Sequence, residues 1–410
     1  MGTTHYAFRD KNVLLFGLGL LGGGVATAKW LIKQGAKLTI TDLKSEAELK
    51  SSLKQIKGNY TLSLGNHKLS DIKAADVVVV NPGVSAKHPL IRKAKHIVNE
   101  ATIFYNNFPG KIVGVTGTRG KTTTATWTAH LLGKKAVLAG NNPEHAFLDV
   151  LNDVTRYTNY ATRIAVTEVS SFHLELFDEI VRPPDIAVVT NIYRDHLNRY
   201  ENMQEYAETK KNLYRWQKPG QILITGKENV LLDLDGFAET WGEHNLQNIR
   251  MAALAAHAEG ISWEKIQERI ASLPAIAFRQ EIIFKNERLT IINDSAATSP
   301  EGGIAALERF GGPDTVLIAG GTDADLDFTQ WNELVKKTIP KDHRIFLAGG
   351  VTKKMIPGIV FETLKECVES ALKLQPKIIL FSPACKSFEK FKNEYDRGRQ
   401  FNALVKKMVK

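Results

Sequence analysis

The sequence predicts an α/β protein of three domains built on mainly parallel sheets, and three observations carry that prediction. Short apolar runs alternate with helix-period patterns almost throughout the chain, as parallel strands joined by crossover helices require. Two of these runs end in glycine-rich turns that open helices, GLGLLG after NVLLF and TGTRGKT after KIVGV. At 410 residues the chain has room for roughly two to four domains, each able to bury its own core.

Taken in order, the candidate strands of the first cluster are Asn12 to Phe16, Lys37 to Thr41 and Asp76 to Val80. A second cluster follows with Lys111 to Val115, Ile164 to Thr167, Ile186 to Thr190 and Gln221 to Thr225. The last comprises Leu289 to Ile292, Val316 to Ala319, Arg344 to Leu347 and Ile378 to Phe381. Boundaries are expected near Ile97, before the lead-in to the second glycine turn, and near Ala275, after the Leu273-Pro274 break. The expected domains are therefore residues 1–97, 98–275 and 276–410. Repetition is confined to α/β units, without a short solenoid period.

Composition narrows the function. Charged residues make up 24% and apolar ones 43% of the chain, ordinary globular values that argue against long disorder. A formal charge of +10 fits an anionic ligand or plain solvated lysine faces. No arginine-rich tract or aromatic ladder points to nucleic acid. Cys367 and Cys385 stand outside any CxxC or Cys/His cluster, so neither a disulfide framework nor a zinc site is expected, and a cytoplasmic protein is. The apolar stretch Val13 to Ala28 imitates a targeting signal behind Arg9 and Lys11. It is too short for a membrane span, and its glycines suit a phosphate loop better than a signal helix, so no membrane association is expected.

Gly17, Gly19 and Gly22 form G-x-G-x-x-G between a strand and a helix. Glycines there permit a tight turn and let phosphate approach backbone amides at a helix N-terminus. Asp42 falls where a dinucleotide-binding domain places a ribose-binding acid. The motif alone leaves open a nicotinamide or flavin cofactor, another nucleotide, or glycines that serve only packing.

The second turn is sharper. Thr116-Gly117-Thr118-Arg119-Gly120-Lys121-Thr122-Thr123 follows a strand and opens a helix, the context a P-loop demands. Val115 stands where the strict pattern has its first glycine, so this is a variant P-loop. Its amides would wrap a nucleoside triphosphate, Lys121 would lie along the outer phosphates and the Thr122 hydroxyl would bind magnesium. Glu168, at the carboxyl end of the strand RIAVT, suits a second magnesium ligand, because α/β sheets place ligands beyond the carboxyl ends of their strands. The next strand delivers Asn191 and then His196. A histidine there is read as structural in isolation and as functional beside an acid and a P-loop.

In EYAETKKNLYRW, Tyr206, Lys210, Leu213 and Tyr214 share one helical face, which places Lys210 in an apolar stripe. Spacing alone favours a snorkelling ammonium. A desolvated lysine would instead be a neutral nucleophile able to form a metal-binding carbamate with carbon dioxide. In the last third, Asn293-Asp294-Ser295, Gly320-Gly321-Thr322-Asp323 and Ser382 to Ser387 stand at the ends of predicted strands and read together as a site.

The ordered series GLGLLG, NPGVSAKHPLI, VTGTRGKTTT, TEVSSFHLE, TNIYRDHLNRY, GEHNLQN, FRQE, NDSAATSPE, IAGGTDADLDF and SPACKSFEKFKN resembles the Mur ligases over nearly the whole chain. SPACKSFEKFKN is similar to the branch that adds D-glutamate. The resemblance implies Rossmann-like N- and C-terminal domains around a central P-loop ATPase domain. The first would bind the UDP of a UDP-N-acetylmuramoyl-L-alanine substrate through Gly19, Leu20 and Leu21, with Lys44 and Asn81 nearby, in place of any hydride chemistry. The second would bind ATP through Gly117, Thr118, Gly120, Lys121, Thr122 and Thr123, with Asn245 and Asn248 near the adenine and Asn141 near the muramoyl group.

By the same resemblance Thr122 and Glu168 would hold one magnesium ion, and His196 with a carbamylated Lys210 a second, His196 also facing the sugar substrate. Lys121, Glu168, His196 and Lys210 would be the catalytic set. Arg279 and Asp294 of the third domain would reach ATP, and Thr298 and Ser387 would face D-glutamate. Ala324 and Ala296 stand where the family pattern has lysines, and Lys386 is the expected replacement cation. The implied partners are small molecules alone, the protein a monomer, and the reaction ATP-driven amide formation through an acyl phosphate, with the third domain closing during turnover.

Overall fold

The computed structural model describes residues 7–20, 22–140, 143–154, 162–197 and 199–409. Leu21 and Asn141 lie outside them. The chain forms two compact units, Met1–Pro274 and Ala275–Lys410.

Within the described residues the first unit holds two parallel sheets. One comprises β1 (Asn12–Phe16), β2 (Lys37–Asp42), β3 (Thr61–Leu64), β4 (Val77–Val80) and β5 (Ile97–Val98), in the order β3-β2-β1-β4-β5. The other comprises β6 (Lys111–Thr116), β7 (Ala136–Gly140), β8 (Ile164–Glu168), β9 (Ile186–Val189) and β10 (Ile222–Ile224), in the order β10-β9-β6-β8-β7. A continuous core joins them. The helix Glu100–Asn107 buries its whole first two turns, and its Ile103, Phe104 and Tyr105 pack in one cluster with Val13 and Leu15 of β1 and Ala165 of β8. Each such apolar side chain contributes about 1.5–3 kcal/mol on burial.

The second unit has one sheet, β11 (Glu281–Lys285), β12 (Thr290–Asn293), β13 (Thr315–Ala319), β14 (Arg344–Leu347), β15 (Ile359–Phe361) and β16 (Ile378–Phe381), in the order β11-β12-β16-β13-β14-β15. Only β11 runs antiparallel to its neighbour among the described pairs. No described helix is long and apolar enough to cross a membrane.

These topologies place the chemistry. In the first sheet β1 and β4 are adjacent, and their onward connections run to opposite sides. In the second, β6 and β9 stand in the same relation. Loops leaving such a pair at the carboxyl edge diverge and leave a crevice. The glycine loop and Asn81 flank the first crevice; the P-loop and the segment from Thr190 flank the second. In the third sheet, the ends of β12, β16 and β13 lie side by side.

The α/β class is as expected, and every interior strand coincides with a predicted run. The strands missing from the prediction, β3, β5, β7, β11 and β15, all stand at sheet edges. Interior Val77–Val80 is buried throughout, whereas Glu281–Lys285 has no fully buried position and Ile359–Phe361 is mostly exposed. An edge strand needs no continuous apolar run, so its sequence carries little signal.

Candidate active site

The P-loop is built by glycine and by β9. Gly117 and Gly120 have φ of 147° and 79°. A β-carbon on Gly117 would lie 1.9 Å from Thr190 Oγ1, and one on Gly120 would lie 2.2 Å from Asn248 Oδ1. Thr190 Oγ1 donates to the Arg119 carbonyl (2.6 Å), Asn191 Oδ1 accepts from Arg119 N–H (2.8 Å), and the Asn191 carbonyl accepts from Thr118 N–H (2.9 Å). The loop is thus fixed on one side before the helix Lys121–Leu132 begins. That helix has no acidic side chain in its first turn, which suits an anion at its positive end.

Two lysines converge on one carbonyl. Lys121 Nζ donates to the carbonyls of Gly117 and Thr118, both at 3.1 Å, and Lys210 Nζ donates to the Gly117 carbonyl at 2.9 Å. Lys210, on the helix Met203–Lys211, is 1% exposed. It does not snorkel. Its Nζ lies 4.7 Å from the centroid of the Tyr206 ring. Burial, reinforced by the charge of Lys121, pushes its pKa down to about 6, only partly opposed by Asp195. Lys210 is therefore a neutral amine at pH 7.

Thr122 Oγ1 donates to Glu168 Oε2 at 2.8 Å, and Glu168 is 7% exposed. This hydroxyl and carboxylate form a hard oxygen pair at the phosphate end of the P-loop, a donor set that fits magnesium. His196 has a left-handed backbone, φ 56°, a conformation histidine tolerates better than most residues. Its N–H donates to Asp195 Oδ1 (2.8 Å), and Asp195 Oδ2 accepts from Arg119 Nη1 (2.9 Å). The His196 and Tyr206 rings are 6.0 Å apart, so His196 and Lys210 both border Tyr206. Thr118 Oγ1 is 3.1 Å from the Tyr206 hydroxyl. Asn248 Oδ1 accepts from Thr124 Oγ1 (3.2 Å) and Asn248 Nδ2 donates to Asn245 Oδ1 (2.7 Å), which ties the asparagine pair to the P-loop helix. Thr123 is buried in that helix.

In the first sheet, Gly17, Gly19 and Gly22 all adopt positive φ. Asp42 does not have its carboxylate open for a ribose. Its Oδ2 accepts from Leu18 N–H (2.9 Å) and Gly19 N–H (3.0 Å), and Oδ1 from Lys44 N–H (2.9 Å). It braces the glycine loop instead. Asn81 packs against Gly17 and Gly19, and Leu20 is exposed at the loop tip.

In the second unit Asp294 is buried, accepting from Ser382 Oγ (2.7 Å) and Gln280 N–H (3.1 Å). Desolvation raises its pKa to about 7, against the opposing pull of these bonds and of Arg279 and Arg397. The Ser387 hydroxyl is buried without a hydrogen-bond partner among the described residues, an orphan polar group such as a ligand would satisfy. The Lys386 carbonyl accepts from Thr322 N–H (3.0 Å) and Arg397 Nη1 (3.2 Å). Thr298 is partly buried in the irregular segment between the turn at Ser295 and the helix Pro300–Phe310.

Sequence reasoning overlooked Asp195 and Tyr206 as site residues, and Lys354. The last donates to Asp323 Oδ1 and Asp325 Oδ1, both at 3.1 Å, and so brings a cation to the loop in which Ala324 lacks one. Strand-end position was the available signal for Asp195. Lys354 had none, because it reaches the loop from the turn after β14.

The raised Asp294 pKa has a testable sign. In the fold this carboxyl holds its proton up to about pH 7, while the unfolded chain releases it near its ordinary value of 3.8. Between those limits the native state binds more protons, so stability falls as pH rises. Asp294→Asn lacks this slope. Its melting temperature relative to the parent chain should climb by a few degrees from about pH 4 to about pH 8, and a constant difference would contradict the assignment.

Residues 115–238 match the Mur ligase middle domain and residues 11–102 the N-terminal domain of MurD-like Mur ligases. The UDP-N-acetylmuramoylalanine–D-glutamate ligase of Roseiflexus sp. (strain RS-1) is 31% identical, over 96% of this chain and 98% of that protein. The chain belongs to the Mur ligase family. The same-named enzyme of Borreliella afzelii (strain PKo) is also 31% identical, over 97% of this chain and 98% of the relative. Among solved structures, the MurF ligase of Thermotoga maritima in complex with ADP has the same fold. Its TM-score is 0.56 at 16% identity, covering 99% of this Mur ligase and 98% of MurF.

Proposed function

We propose that this Mur ligase joins D-glutamate to the alanyl carboxylate of UDP-N-acetylmuramoyl-L-alanine, driven by ATP, in cytoplasmic peptidoglycan precursor synthesis. The observation that carries the reading is the convergence of Lys121 and Lys210 on the Gly117 carbonyl, beside the Thr122–Glu168 pair. It gives a P-loop with the Lys121 cation, a buried neutral amine and oxygen ligands at its phosphate end. The names of the full-length relatives supply the substrates.

The reaction brings two anions together. A carboxylate oxygen of the sugar substrate attacks the γ-phosphorus of ATP, ADP leaves, and an acyl phosphate forms. The D-glutamate amine then attacks the acyl carbon, phosphate departs with the bonding electrons, and the amine proton passes to solvent. Lys121 swings from its own loop carbonyls to the outer phosphates, opposing the charge that develops on the transferring group. Magnesium, when bound, neutralises further phosphate charge. Thr122 and Glu168 would hold one ion, and His196 with a carbamylated Lys210 the other. The neutral, buried Lys210 amine is chemically suited to take up carbon dioxide.

Asn245 and Asn248 are assigned to the adenine, and Gly19, Leu20, Leu21, Lys44, Asn81 and Asn141 to the sugar nucleotide. We assign Arg279 and Asp294 to ATP, and Thr298, Ser387 and Lys386 to D-glutamate. The protein acts as a monomer with domains at residues 1–97, 98–275 and 276–410. Phosphate release measured with UDP-N-acetylmuramoyl-L-alanine and a panel of amino acids tests this reading. Release is expected with D-glutamate, and release driven instead by another amino acid would overturn the substrate assignment.

A further inference from the structure

We propose that Arg199 is a positioning residue that locks the Asn81 loop to the His196 segment, so that the nucleotide-sugar loop and the catalytic histidine move as one body. The proposal rests on the ligase reading for the roles of Asn81 and His196, and on geometry for the lock itself.

Arg199 lies three residues after His196, and its N–H donates to the His196 carbonyl at 2.9 Å. Its side chain is only 11% exposed. Nε donates to Glu175 Oε1 (2.6 Å) and Nη2 to Glu175 Oε2 (2.7 Å), a bidentate pair. Nη1 donates to the Pro82 carbonyl (2.8 Å) and Nη2 also to the Val84 carbonyl (2.9 Å). Glu175 Oε2 accepts in turn from Ala86 N–H (3.1 Å). One ion pair between the segments that follow β8 and β9 therefore grips Pro82, Val84 and Ala86 of the loop that Asn81 opens, and Asn81 lies against the glycine loop. The flat face of Arg199 lies 4.1 Å from the centroid of Phe172, whose ring meets that of His196 edge-on at 4.8 Å. Every arm of the guanidinium is in use. Lysine, a single point charge without a planar fork, cannot make these contacts together.

The test uses the full chain with Arg199→Lys, and Glu175→Gln as an independent variant that weakens the lock from its other side. Both should raise KM for UDP-N-acetylmuramoyl-L-alanine by about tenfold or more, and lower kcat, because misplaced loops lose orientation. Affinity for a non-hydrolysable ATP analogue should stay within about twofold, since no P-loop residue is touched. Amide hydrogen exchange should quicken in 82–86 and 193–197 and stay unchanged in 117–122. A lowered melting temperature with unchanged KM, and unchanged exchange at 82–86, would show the ion pair to be structural only and overturn the proposal. If the parent chain released no phosphate with this substrate, the ligase reading would fail, while the exchange pattern would still decide the lock.

Discussion

Lys121→Ala should reduce the rate of phosphate release by about three orders of magnitude, the scale on which removing a charge that stabilises a transition state is felt. The reason lies in what the side chain does in the structure. Its ammonium rests on the Gly117 and Thr118 carbonyls, contacts that P-loop backbone geometry provides but does not depend on, since Thr190 and Asn191 brace the loop independently. The variant should therefore fold with a melting temperature close to that of the parent. Steady-state kinetics and a thermal melt separate the outcomes. Lost activity with an intact melt supports an electrostatic role, and activity within about tenfold of the parent would remove Lys121 from the phosphoryl-transfer step.

Lys210→Ala should be nearly as damaging, for a different reason. An amine held neutral by burial beside Lys121 contributes little as a cation at pH 7. On the proposed reading it serves the reaction as a carbamate, an anionic oxygen donor beside Tyr206, which His196 also borders. Loss of activity by about two to three orders of magnitude is expected, with partial recovery when acetate or another small carboxylate is added. A variant that kept full activity would exclude the carbamate. An inactive variant indifferent to carboxylates would leave Lys210 a packing residue under Tyr206. Lys210 also leaves its mark on stability. The unfolded chain protonates this amine below its ordinary 10.5, the folded chain only below about 6, so its contribution favours folding increasingly as pH rises between those values.

What could be read from the sequence divides along physical lines. Strands buried on both faces, such as Val77–Val80, must be apolar throughout, so the interior of each sheet was legible. Edge strands such as Thr61–Leu64 face solvent and carry no such requirement. The GKT turn was legible because a backbone cradle for phosphates demands particular residues at fixed spacing. Glu168 and His196 could be placed because strand ends point at crevices. Asp42 shows the limit of that rule. Its position at a strand end was visible, but its engagement with the amides of Leu18 and Gly19 depends on loop geometry. The apolar stripe of Lys210 was visible too, yet spacing favoured a snorkelling head, and the structure buries it. Glu175–Arg199 and Lys354–Asp323 were invisible, since each joins segments far apart in the chain and neither falls in a periodic pattern.

In the proposed reaction, triphosphate cleavage activates the alanyl carboxylate of the sugar nucleotide for attack by D-glutamate. Phosphate release is best measured with UDP-N-acetylmuramoyl-L-alanine in which both carboxylate oxygens are oxygen-18. Release is expected to need ATP, the sugar nucleotide and D-glutamate together, with one labelled oxygen per phosphate released. Phosphate free of the label, or released at the same rate when D-glutamate is withheld, would contradict that reaction.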